Sequence, residues 1–82
     1  MSFLQDRYNA ILESIDHTAT NATLSFTKDE VLDKVVKSAE EWNEVDKAMF
    51  DIAWYYYRHN FLAFSYSVTG DTRYVLKRRF NS

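Results

Sequence analysis

The sequence contains no cysteine, no proline and a single glycine, and its charges nearly cancel, at a net −2. Each scarcity excludes something. Without thiols there are no disulfides, no zinc–thiolate centres and no cysteine nucleophile. No uncharged apolar run approaches the ~18 residues a membrane span needs. Asp6 and Arg7 follow Ser2-Phe3-Leu4 after a single glutamine, so the start does not read as a secretory signal. A cytoplasmic location is the expectation, and the sequon Asn21-Ala22-Thr23 carries no weight without such a signal. The missing basic excess disfavours a polyanion as the main partner.

What is present is aromatic. There are two Trp, six Tyr and six Phe in 82 residues, and more than half of them fall between Asp46 and Val68. A chain of this length reads as one domain and buries only about two-thirds of its unfolded surface, so homo-oligomerisation is one way to cover the rest. In the central stretch Phe50, Ala53, Trp54, Tyr57, Phe61, Phe64 and Val68 recur at the helical period, uninterrupted by proline or glycine. Two further apolar faces run alongside: Met49, Ile52, Tyr56 and Ala63, and Tyr55, Leu62 and Tyr66. A helix apolar all round is buried on several sides or keeps a face for a partner.

Upstream, Ser2 and Gln5 form a capping-box pattern ahead of an amphipathic helix with Leu4, Tyr8, Ile11, Leu12 and Ile15 on one side. Thr18 to Ser25 reads as a polar linker. Thr27 and Glu30 spell a second capping box, with Phe26 and Val31 as its hydrophobic staple. A break is expected near Asn43 or Asp46, both suitable N-caps. Gly70 suits the residue just past a helix end, with Asp71 capping a short last helix. The expected fold is therefore all-α, a small bundle with helices near 3–17, 28–43, 46–68 and 72–80. The alternative is α+β with a C-terminal hairpin over 61–80, because Phe64, Tyr66 and Val68 alternate with serines and Gly70-Asp71 suits a two-residue turn. A lone two-stranded ribbon is marginal in water, which favours the helical version.

Three kinds of constellation bear on chemistry: an acidic run, polar side chains at helical spacing, and a basic segment. Glu40, Glu41 and Glu44 spell E-E-x-x-E, similar to the first metal-binding motif of the all-α nucleotide pyrophosphohydrolases. The second E-x-x-D that such a site needs is missing, since residue 48, three before Asp51, is alanine. Asp51, Tyr55 and His59 form a column at i, i+4 and i+8, and Glu13 with His17 is a two-ligand pair. Neither supplies a nucleophile, an oxyanion hole or a complete metal set. The third is the basic, aromatic run Arg73 to Phe80. Charge is split along the chain: residues 1–57 carry five basic and eleven acidic side chains (−6), and residues 58–82 five basic and one acidic (+4).

The functional expectation is a non-enzymatic protein–protein interaction module without cofactor or metal. A small regulator or inhibitor of a larger complex, of the kind a phage or mobile element encodes, suits that character. Its partner is another protein or a second copy. The contact residues expected are Tyr55, Tyr56, Arg58, Leu62 and Tyr66, with Arg78, Arg79 and Phe80 as a basic rim, since aromatics and arginine anchor interfaces. The alternative is nucleic-acid binding, with the C-terminal cations on phosphates and Tyr74 or Phe80 stacking on bases.

Overall fold

The computed structural model describes residues 3–21 and 25–76. Its elements are α1 (Phe3–Thr20), β1 (Phe26–Thr27), α2 (Lys28–Ser38), α3 (Glu44–Phe61), β2 (Leu62–Val68) and β3 (Asp71–Leu76). The chain is mainly helical with a small antiparallel sheet in the order β1-β3-β2.

The three helices begin and end for local reasons. Thr27 caps α2 through the reciprocal pair expected, its hydroxyl accepting from the Glu30 N–H at 3.1 Å while Glu30 accepts from the Thr27 N–H at 3.1 Å. Asn43 caps α3 in the same way with Asp46. The break between α2 and α3 is therefore real and comes earlier than the reading of 28–43 allowed, with α2 ending at Ser38. Glu40 and Glu41 consequently lie in the connection, and E-E-x-x-E is not a helical face. α1 runs past His17 to Thr20, because Ala19 prolongs the buried line of Ile11 and Ile15. The Ser2 cap lies outside the described residues, as do the side chains of Ala63, Phe64 and Val68.

The helix expected over 46–68 stops at Phe61, and the last segment is strand, not helix. From Leu62 onward the apolar period switches from helical to alternate, with serines between, and aromatic residues favour a pleated surface. The turn is Thr69-Gly70, one residue earlier than Gly70-Asp71. Val68 pairs with Asp71 across it. Both turn residues have positive φ, 47° at Thr69 and 87° at Gly70, as a tight two-residue hairpin of this twist requires. One objection to a hairpin was that two strands alone are marginal. Here β1 adds a third, pairing Phe26 with Tyr74 and Thr27 with Arg73.

The core is an aromatic ladder along α3. Trp54 stacks between Phe50 and Tyr57, with ring centroids at 6.1 and 6.0 Å, and meets Phe26 and Tyr74 edge-on. The sheet is thereby fastened to the helix layer through one indole. α1 lies alongside α3 in the same direction: Arg7 reaches Asp46 near their starts, and Asp16 shares a hollow with Phe61 near their ends. α2 returns antiparallel over α1, placing Val35 beside Ile11 and Val31 beside Thr18.

Candidate interaction surface

α3 divides into three lengthwise zones when its residues are placed at about 100° per residue. Asp46, Met49, Phe50, Ala53, Trp54 and Tyr57 are buried. Glu44, Lys47, Asp51 and Arg58 make a polar strip, all exposed. The third zone, roughly 100° wide, holds Val45, Ala48, Ile52, Tyr55, Tyr56 and His59. It is as apolar as the first yet faces solvent: Val45 is 53%, Ile52 62%, Tyr55 58% and Tyr56 46% exposed.

The outward zone is ordered by contacts within itself. The Tyr55 and His59 rings meet edge-on at 4.5 Å, and the Arg58 guanidinium lies over the Tyr55 ring at 5.3 Å. Tyr56 meets Phe61 at 6.4 Å. These contacts hold the rings in place before any partner arrives, which lowers the side-chain entropy cost of binding. The zone continues onto the α1 seam. A hollow of about 400 Å³ opens at one end between Leu4, Val45 and Met49, and one of about 450 Å³ at the other between Leu12, Tyr56 and Phe61.

One end of this surface is pinned by a buried ion pair that the sequence did not disclose. Asp46 is 3% exposed. Its carboxylate accepts from Arg7 Nε at 2.7 Å and from a second guanidinium nitrogen at 2.9 Å, and that nitrogen also donates to the Glu41 carbonyl at 2.6 Å. The hydrogen bonds from Arg7 hold the Asp46 carboxyl below the usual carboxylate range against the opposing effect of burial, with the Asn43 N–H helping. The same contact raises the Arg7 pKa. The pair locks the start of α1 onto the start of α3. Asp46 thus does two jobs, as the helix-cap partner of Asn43 and as the anchor of Arg7.

The expected contact residues do not all meet. Tyr55 and Tyr56 share the outward zone of α3, and Arg58 lies on the polar strip beside it with its guanidinium over the Tyr55 ring. Tyr66 is exposed at 42%, but on β2, opposite Arg73 in register. Leu62 is 7% exposed and belongs to the core, because the chain turns inward at the helix–strand junction, so it offers nothing to a partner. Arg78, Arg79 and Phe80 lie outside the described residues. The exposure of Val45 and Ile52 is not anticipated by the sequence pattern, which groups Ile52 with Met49, a buried residue. The helical phase did separate the two, by about 60°, but only the position of α1 decides which of them is covered.

Several of the groups weighed for chemistry are otherwise occupied. Asp51 pairs with Lys28 at 2.9 Å, and Arg73 donates to the Ser25 hydroxyl and carbonyl and to Glu30. Among the described residues no cluster of three or more His, Asp or Glu side chains is placed to hold a metal ion. No described helix is long and apolar enough to cross a membrane. Comparison of the chain with protein-family models, curated proteins and solved structures finds no match.

Proposed function

We propose that this protein is a non-enzymatic protein-binding module, of the kind a small regulator uses, that docks through the outward zone of α3 onto another protein or a second copy of itself. The observation that carries the reading is the second apolar stripe itself. Ile52 and Tyr55 are more than half in solvent and Tyr56 nearly half, on a helix whose opposite face is already fully packed. A contiguous exposed patch of large apolar and aromatic side chains marks an interaction site more often than scattered single residues do. Tyrosine, with few rotamers and an amphipathic ring, is well suited to it.

The test is a tagged-protein pull-down from nuclease-treated native lysate, wild type beside an Ile52→Ser, Tyr55→Ser variant. The expected result is a protein species retained by wild type and lost from the variant, with far-UV circular dichroism unchanged. Equal retention by both would refute the surface. Retention that disappears on nuclease treatment would mean a nucleic-acid tether instead.

A further inference from the structure

The outward stripe of α3 is charged differently at its two ends. Glu44 stands at the N-terminal end and Arg58 at the C-terminal end, both on the edge beside Tyr55, about 21 Å apart along the axis. Among the described residues neither is in an ion pair: the Arg58 guanidinium lies over the Tyr55 ring, and no cation reaches the Glu44 carboxylate. A surface apolar along its middle, with Glu44 at one end and Arg58 at the other, is complementary to itself reversed; Lys47, the other cation of the strip, lies farther round the helix, about 80° from Tyr55.

We infer that the occupant of this stripe is a second copy of the chain, with α3 laid antiparallel on α3 about a two-fold axis level with Asp51. This rests on the reading of the stripe as a docking face. A two-fold axis lying between the helices and perpendicular to them reverses their direction but keeps each edge on its own side. Glu44 then faces Arg58 of the partner subunit, and the symmetry makes that contact twice. With the axis at that level, Val45, Ala48, Ile52 and Tyr55 fall between the heights of their counterparts, so ridges enter grooves. Asp51 is the one charged residue brought towards its own copy. Its charge is already compensated by Lys28 at 2.9 Å. The exposed fractions of Val45, Ile52, Tyr55 and Tyr56, counted on both copies, bury on the order of 1,000 Å² in total, the lower bound for a specific interface.

The experiment is sedimentation equilibrium of the full chain up to millimolar concentration, with charge reversals at both ends. Wild type should be dimeric. Glu44→Arg and Arg58→Glu each place like charges opposite one another twice and should raise the dimer Kd about tenfold. The double variant should recover most of the loss, a rescue that a merely structural role for either residue would not produce. The cysteine-free background adds a second readout. Ile52→Cys, next to the axis, should oxidise to a disulfide-linked dimer, whereas Val45→Cys, far from it, should not; cross-linking at both positions would indicate parallel packing and overturn the arrangement. A wild type monomeric throughout the range, or a dimer indifferent to both reversals, overturns the inference. Either result leaves the docking surface to be judged separately by the wild-type-against-variant difference in the pull-down.

Discussion

The inward and outward faces of α3 are built from nearly the same alphabet and do opposite things. Phe50, Trp54 and Tyr57 face inward and are almost completely covered, while Ile52, Tyr55 and Tyr56, one or two positions away, are about half in water or more. Hydrophobicity therefore does not say which side of this helix is the core. The covered side is the one on which α1, β1 and β3 supply matching surfaces, and the three-element shell is used up before it reaches the other. The difference teaches that in so small a chain an apolar residue is placed as much by the supply of neighbours as by its own preference.

The comparison can be broken most severely from the inside. Trp54→Ala removes the ring that joins α3 to both Phe26 and Tyr74, and should cost about 3–5 kcal/mol in chemical denaturation, enough to unfold much of the population. The polar anchor comes next. Arg7→Ala leaves the Asp46 carboxylate without its partner at a part-buried site and should destabilise by about 1–3 kcal/mol at neutral pH.

That variant also reverses a pH dependence. In wild type the folded pKa of Asp46 lies below its unfolded value, so the pair contributes fully above about pH 4 and its contribution is lost as pH falls through the folded value. With Arg7 gone, burial dominates and pushes the Asp46 pKa upward, so protonation should relieve the defect. The gap between wild type and Arg7→Ala should therefore narrow below pH 4 in urea melts. A gap that stays constant from pH 7 to pH 3 would show that the pair is not the source.

A smaller effect of opposite sign is expected at the hairpin. Thr69 is β-branched yet holds φ at 47°, a region that Asn adopts far more readily. Thr69→Asn should raise stability by roughly 0.5–1 kcal/mol, read as a shift in denaturation midpoint at unchanged slope. The smallest change belongs to the outer face. Ile52→Ser, Tyr55→Ser should move monomer stability by no more than about 0.5 kcal/mol per site, in contrast to Trp54→Ala two helical positions from Ile52. A loss of several kcal/mol from the outer pair would place those residues in the core and dissolve the distinction between the faces.

Much of the helical part was legible, because its signals are local. A hydroxyl and a glutamate three residues apart at Thr27 and Glu30, an apolar repeat in α1, and an asparagine ahead of the aromatic run each act within one or two turns of chain. The candidate surface was legible only in part. Tyr55, Tyr56 and Arg58 could be named from composition and phase, but Ile52 was not separated from Met49 and Leu62 was placed on the wrong side. The sheet was undervalued for a related reason. Its third strand is two residues long, too short to leave a periodic trace, and those residues had been read as a cap and a staple.

By itself the sequence determined where α2 begins, that a break separates it from the next helix, that an aromatic spine runs through the middle of the chain, and that this spine carries more apolar surface than one side can use. Those are consequences of short-range hydrogen bonding and of side-chain period. Only the tertiary structure decided that the spine ends at Phe61, that Phe26 and Thr27 pair with β3, that Arg7 reaches Asp46 across 39 residues of chain, and which flank of α3 is left in water. Those outcomes depend on what a distant segment supplies, and no local pattern records the arrival of a neighbour.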